Sequence, residues 1–158
     1  MTDAFPFDSN PRWPDLLKDK RIYPFETEVQ VRFQDLDTNA HVNNVAMVAM
    51  IEEARYRFGA PIREAGYAER YRLVTAAQQI QYLEESFHGA PLTLHIGVGY
   101  IGNRSWRLRA AAFQNDVCVS LSDSNIVLAH IPPGETGMPD ALRRILLERR
   151  LRTPLPPA

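Results

Sequence analysis

Two carboxylates, an imidazole and the paired amides Asn43 and Asn44 crowd the stretch from Val31 to Asn44, which runs Val-Arg-Phe-Gln-Asp-Leu-Asp-Thr-Asn-Ala-His-Val-Asn-Asn. Asp35 and Asp37 stand at i, i+2 where an alternating apolar and polar segment, Glu28 to Phe33, comes to its end. Alternation of that kind reads as a strand, and helical periodicity begins at the two amides. A strand end, a carboxylate and a helix N-terminus within about ten residues place a base or nucleophile beside backbone N–H groups that lack a helical partner. Those donors and the helix dipole favour negative charge. Attack on a carbonyl uses this equipment: one group to attack or to activate water, and donors to hold the oxyanion that forms.

Asp37, the nearer carboxylate to the helix start, is the candidate nucleophile or general base. The bland alternative is that it caps the loop or the helix. Asp35 suits a bracing role through side-chain to backbone bonds. His41 has two roles open to it: orienting the carboxylate or acyl group, or holding the loop through a backbone carbonyl. Asn43 or Asn44 is the expected helix N-cap. The run Asp35-x-Asp37-x-Asn39 imitates the opening of a calcium loop, but Ala40 stands at its sixth position and Ala46 at its twelfth. A strand rather than a helix precedes it, so that reading fails. No other group has metal-ligand spacing, and neither a glycine-rich phosphate loop nor a nucleophile elbow is present.

Strand one spans about Phe25 to Phe33, and the first helix about Asn43 to Phe58. Met47, Met50, Ile51, Ala54 and Phe58 make a single apolar stripe along that helix. Gly59 and Pro61 stop it. Leu73 to Leu83 alternates, with Val74, Ala76, Ile80 and Tyr82 on one face, and Leu92 to Ile101 alternates cleanly. Gly102, Asn103 and Arg104 turn into a strand marked by Trp106, Leu108, Ala110 and Ala112. Asn115-Asp116 makes a tight hairpin into a last strand running from Val117 to His130. These last three strands form an antiparallel meander with one polar and one apolar face. Pro139 to Leu151 reads as a short helix, with Arg143, Arg144, Arg149, Arg150 and Arg152 as a solvated basic face. Glu52 with Arg55, and Glu53 with Arg57, read as ordinary helix pairs worth about 0.3 kcal/mol each. The order β–α–β–β–β–β–α is α+β, one long helix against one curved antiparallel sheet.

At 158 residues the chain fits one domain. It divides into an irregular arm over residues 1–24, with Phe5, Phe7, Trp13 and Tyr23, a domain over 25–152 and a frayed tail over 153–158. Basic and acidic residues, 18 and 19, nearly cancel, which gives no electrostatic reason to expect nucleic acid or an acidic membrane surface as partner. Cys118 is the only cysteine, so no disulfide framework exists, and a reducing compartment is expected. Its apolar neighbours suit a packed side chain rather than a nucleophile. The first residues lack the basic and apolar regions of a signal peptide, and no apolar run approaches the roughly 20 residues of a membrane span. A cytoplasmic protein is the expectation.

The block Phe33-x-Asp35-x-Asp37-x-x-x-His41-Val42-Asn43-Asn44, followed by Ile51-Glu-Glu-Ala-Arg55, resembles hot-dog-fold acyl-CoA thioesterases of the 4-hydroxybenzoyl-CoA thioesterase type. Ile80-Gln-Tyr82-Leu83 resembles that family's second strand. Gly102-Asn-Arg104-Ser105 resembles its third-to-fourth strand turn, and Thr136-Gly-Met-Pro139-Asp-Ala-Leu142 its approach to a last helix. The resemblance covers about residues 25–150. It implies a hot-dog fold, a long central helix wrapped by a curved antiparallel sheet of about five strands, with a short C-terminal helix. It implies a catalytic carboxylate at Asp37, an oxyanion donor in the backbone N–H of Asn44, and His41 beside them. An acyl-CoA would be held by Asn43, Asn103, Arg104 and Ser105, with Arg104 coming from the same or the neighbouring subunit. The resemblance further implies a homodimer joined sheet edge to sheet edge, or a homotetramer, and no metal or other cofactor.

Two departures stand out. Ala40 occupies a position where the family often has Gly, which asks more of the loop backbone. Arg104 stands alone at a turn where some members carry a basic cluster. The expected activity is hydrolysis of an acyl-CoA, or acyl carrier, thioester to free acid and thiol. Two alternatives share the fold: an enoyl thioester hydratase with His41 and Asp37 handling protons, and a non-catalytic acyl-thioester binding module.

Overall fold

The apolar stripe of the first helix meets the sheet expected for it. In the computed structural model, which describes residues 13–152, five strands form one antiparallel sheet in the order β1-β3-β4-β5-β2. Their ranges are β1 Phe25–Val29, β2 Leu73–Tyr82, β3 Leu92–Ile101, β4 Ser105–Gln114 and β5 Val117–Leu128. The helix α1, Asn44–Phe58, buries Met47, Met50, Ile51, Ala54 and Phe58 against this sheet. Leu94 and Ile96 of β3 and Trp106 and Ala110 of β4 meet that stripe in the main core. Full burial of each large apolar side chain there contributes about 2 kcal/mol. This is the hot-dog architecture, a central helix against a curved antiparallel sheet.

Asn115 and Asp116 both take positive φ, 49° and 65°, as a two-residue hairpin between paired Gln114 and Val117 requires. Other boundaries differ from the periodicity reading. β1 ends at Val29, not Phe33, because its ladder stops opposite Leu92 and Pro91 has no N–H to extend it. Val31 turns inward, and Phe33–Asp35 forms a 3-10 turn that leaves the Phe33 ring 82% exposed. Ala76 drops out of the β2 ladder in a bulge between Thr75 and Ala77, which breaks the alternation expected there. Gly59 does end α1, yet two short helices follow at once, α2 Ala60–Glu64 and α3 Tyr67–Tyr71. Pro61 sits in the first turn of α2, where a missing N–H costs nothing, so it starts a helix as well as following one.

The last helix, α4 Asp140–Leu147, is shorter than expected and buries Leu142 and Leu146. Beyond it the chain straightens. Val98 donates its N–H to the Arg149 carbonyl at 2.9 Å and accepts from Leu151 N at 2.9 Å, filling the edge of β3 that β1 leaves open. Gly97 permits this close approach, since a Cβ there would meet Leu151 Cδ2 at 2.6 Å and Pro24 Cδ at 2.9 Å. Gly97→Ala is therefore expected to cost about 1–3 kcal/mol in a urea melt, by pushing this terminal segment off the sheet.

On the opposite face of the sheet, Trp13, Leu17, Ile22 and Tyr23 pack with Ala111, Phe113 and Leu121 as a second apolar cluster. The expectations for Phe5, Phe7 and the tail from residue 153 fall outside the described residues. No described helix is long and apolar enough to cross a membrane.

Candidate active site

The loop between β1 and α1 is built on Asp35. Its carboxylate is buried and accepts from the Arg32 backbone N–H at 2.7 Å and from the Arg32 guanidinium at 2.8 Å. The Arg32 guanidinium beside it holds the Asp35 carboxyl below its ordinary range. The Asp35 carbonyl accepts from both the backbone N–H and the side-chain Nδ2 of Asn43, each at 2.9 Å. One residue thus ties the end of the 3-10 turn to the start of α1.

Between these anchors the chain reverses. Leu36 and Val42 form a bridge, and Asp37 N donates to the His41 carbonyl at 2.8 Å. Asp37 Oδ1 accepts from Asn39 N at 2.8 Å and His41 N at 3.1 Å, so one carboxylate oxygen braces the loop. Oδ2 has no hydrogen-bond partner among the described residues. Ala40 lies in the left-handed region with φ 61°, a conformation in which a Cβ is strained. Ala40→Gly should raise stability by about 0.5–1 kcal/mol, as relief of that strain outweighs the extra chain entropy of glycine. A shift of the urea midpoint at constant m-value would show it.

Asn43 is the N-cap of α1: its Oδ1 accepts from Ala46 N at 2.8 Å. Asn44 is the first helical residue, so its N–H and that of Val45 have no intrahelical acceptor. His41 does not place its imidazole on Asp37. Its Nδ1 lies 3.4 Å from Glu85 Oε1, and its ring stands edge-on to Phe87 with centroids 5.1 Å apart. Val42 N donates to the Ser86 carbonyl at 2.8 Å, completing the seam between this loop and residues 85–87. Gln114 in turn clamps that second loop, accepting from Phe87 N and donating to the Phe87 and Ala90 carbonyls.

An open cleft of about 670 Å³ runs along the seam, lined by Asp37, His41, Asn44, Met47, Tyr82 and Phe87 among others. Asp37, His41 and Asn44 are therefore brought together. Glu85, Phe87 and Gln114 are additions that spacing along the chain did not single out. A loop acid and aromatic between two strands were the only local signal, and the pairing of two distant loops leaves none.

Asn103, Arg104 and Ser105 lie elsewhere. They turn β3 into β4, and β4 separates Ser105 from Gln114 by about 30 Å at ~3.3 Å per residue. Within one chain they do not meet the Asp37 cleft. Asn103 is engaged locally, donating to the Thr136 carbonyl at 3.2 Å and accepting from Met138 N at 2.7 Å. The basic face expected near the C-terminus is only partly solvated. Arg143 donates to the Gly102 carbonyl, and Arg149 donates to the Phe58 carbonyl while lying over the Phe58 ring. Glu53 pairs with Arg57 at 2.8 Å, but Arg57 also donates to Thr27 Oγ1 and the Glu28 carbonyl, joining α1 to β1. Burial pushes the Cys118 thiol up to about 11, which keeps it a thiol at neutral pH. Among the described residues, no group of three or more His, Cys, Asp or Glu is placed to hold a metal ion.

Residues 31–130 match the family model of the thioesterase-like superfamily. YsmA, an uncharacterized protein of Bacillus subtilis (strain 168), is 27% identical over 89 residues. That match covers 56% of this chain and only 60% of YsmA. Among solved structures, that of a predicted thioesterase from Bacillus stearothermophilus superposes with a TM-score of 0.73 at 24% identity, covering 82% of this chain and 98% of that one. A Thermus thermophilus thioesterase complexed with coenzyme A and Zn gives 0.69 at 25% identity, covering 80% and 95%. SAV2348 from Staphylococcus aureus, in complex with CoA, gives 0.69 at 15% identity, covering 84% and 89%, a likeness of fold alone.

Proposed function

The chain belongs to the thioesterase-like superfamily, and from that premise we propose that it hydrolyses an acyl-CoA, or acyl carrier, thioester to free acid and thiol. One observation carries the reading. The loop fixes the Asp37 carboxylate through Oδ1 and leaves Oδ2 without a partner among the described residues, in the cleft that the first turn of α1 also lines.

Two routes use this geometry. In the first, Oδ2 attacks the thioester carbonyl carbon, and the carbonyl electron pair moves to oxygen to form a tetrahedral oxyanion. The N–H groups of Asn44 and Val45, at the positive end of the α1 dipole, stabilise that charge. The C–S bond breaks, the thiolate takes a proton from water, and water then opens the mixed anhydride to regenerate Asp37. In the second route, Asp37 takes a proton from a bound water as that water attacks, and the proton passes to the leaving thiolate. His41, steadied by Glu85 and Phe87, orients the acyl group in either route.

Arg104, with Asn103 and Ser105, holds the coenzyme A nucleotide, and for the Asp37 cleft these residues come from another subunit. β2 is an edge strand carrying exposed Val74 and Tyr82. Antiparallel pairing of β2 with its copy reverses the second sheet, which brings the copy's Ser105 end toward this chain's Gln114 end. Such pairing also covers an edge that a lone subunit leaves open. The coenzyme A complex of the Thermus thermophilus neighbour supports coenzyme A as the carrier. Thiol release from short, long and aromatic acyl-CoAs tests the activity, and light scattering on a sizing column tests the dimer. No release from any member of the panel overturns the hydrolase reading, and a monomer active on acyl-CoA overturns the assignment of Arg104.

A further inference from the structure

A second cavity, of about 190 Å³, opens between α1, α2 and the strands β2, β4 and β5, and shares no lining residue with the Asp37 cleft. Its walls are mainly apolar, with Phe58, Ile62, Trp106, Leu108 and Ile126. Arg55 also lines it, although its side chain is only 6% exposed. Nη2 is paired with Glu52, but Nε and Nη1 are buried without an acceptor. Trp106 Nε1, on the same wall, is buried and unpaired as well.

Buried polar groups left unpaired are costly, and these are all of one kind. Every unpaired buried side-chain atom on this wall is an N–H donor, so the missing partner is an acceptor. Among the described residues Glu52 is the only acidic one lining the cavity, while Arg63 adds a second guanidinium, stacked 3.6 Å from the Tyr56 ring centre. The field inside therefore favours an anion. Burial lowers the Arg55 pKa from its ordinary value, the mark of a charge whose compensation is incomplete. A planar carboxylate matches a guanidinium edge, and the apolar walls suit a hydrophobic body. An apolar cavity of about 150 Å³ holds benzene, so a one-ring or short branched acid fits this space.

We propose that this cavity binds a small hydrophobic carboxylic acid, its carboxylate on Arg55 and Trp106 and its body against Phe58, Ile62 and Leu108. Thioester cleavage releases acids of this class, but the site stands on its own residues and does not depend on that activity. Benzoate and its neutral analogue benzamide are the probes. Their binding is read on the full chain by calorimetry and by the Trp106 indole N–H resonance, assigned with Trp106→Phe, with Trp13 as internal control. Benzoate should move the Trp106 signal saturably and bind about tenfold or more tighter than benzamide. Arg55→Met should abolish that preference. Equal binding of the two probes, a benzoate that leaves Trp106 unmoved, or a preference that survives Arg55→Met would each overturn the proposal. A cavity filled by a second copy of the chain would also leave Trp106 unmoved. Should Arg55→Met fail to fold, the wild-type comparison of benzoate with benzamide at Trp106 decides the question.

Discussion

Asp37→Asn is expected to lower thioester turnover by about a hundred- to ten-thousand-fold while leaving acyl-CoA affinity nearly unchanged. The substitution separates two jobs that one carboxylate performs. Oδ1 accepts from Asn39 N and His41 N, and an amide oxygen can accept both bonds, so the loop keeps its shape. Only the charge and basicity of Oδ2 disappear, and both routes to hydrolysis require them. Melting should therefore stay close to wild type while kcat collapses and the dissociation constant holds. Asp37→Ala removes the loop bonds as well, so it should lose comparable turnover and some stability. A single turnover in oxygen-18 water identifies the nucleophilic route when the anhydride opens at the side-chain carbon: Asp37 then acquires the heavy oxygen and passes its own oxygen to the acid. Opening at the acyl carbon and general-base catalysis both place the heavy oxygen in the acid and leave Asp37 unlabelled. Equal turnover in wild type and Asp37→Asn would place the catalytic carboxylate elsewhere.

The parts of this site that could be read from the chain are those whose partners lie close in sequence. Asp35 bonds Asn43 across eight positions and Asp37 bonds Asn39 and His41 across two and four, so spacing alone placed a carboxylate beside a helix start. The α1 stripe and the β3–β5 meander were equally legible, because periods of 3.6 and 2 record which face is buried. What stayed hidden depends on distant chain. β1 stops where Pro91, just before its partner strand, intervenes, a limit that the alternation through Phe33 does not carry. Gln114 clamps residues 87–90 from the far end of another strand. Arg55 is the clearest case. Its spacing from Glu52 describes an ordinary helix pair, and that pair exists, yet the guanidinium is buried at a cavity that Trp106, Leu108 and Ile126 also line, which makes it a different kind of residue. Pattern reports local geometry well, and it reports the dielectric around a charge poorly.

Asp35→Ala should be the most damaging change outside the reacting atoms, lowering turnover about ten- to a hundredfold and stability by about 2 kcal/mol. The ion pair is not the main reason. The Arg32 side chain is 64% exposed, and solvent screens most of that attraction. The larger part is the charge-assisted bond from the Arg32 backbone N–H to a buried carboxylate, which fixes the peptide whose carbonyl receives both donors of Asn43. Without it the N-terminus of α1 and the Asp37 loop lose their common reference. An error of about 1 Å between nucleophile and oxyanion donors is enough to cost a hundredfold. Because Asp35 positions and does not touch substrate, kcat should fall while KM for acyl-CoA holds, and Asp35→Asn, which keeps one acceptor, should recover part of the loss. The pH dependence gives a second check. The folded-state pKa of Asp35 lies below its ordinary value of 3.8, so its contribution is complete above that value and fades as pH falls through the folded value. The stability gap between wild type and Asp35→Ala should therefore be flat at neutral pH and narrow on acidification below about pH 4. A gap that widens in acid would mean that Asp35 is folded in its protonated form, and that the loop is held by something other than this carboxylate.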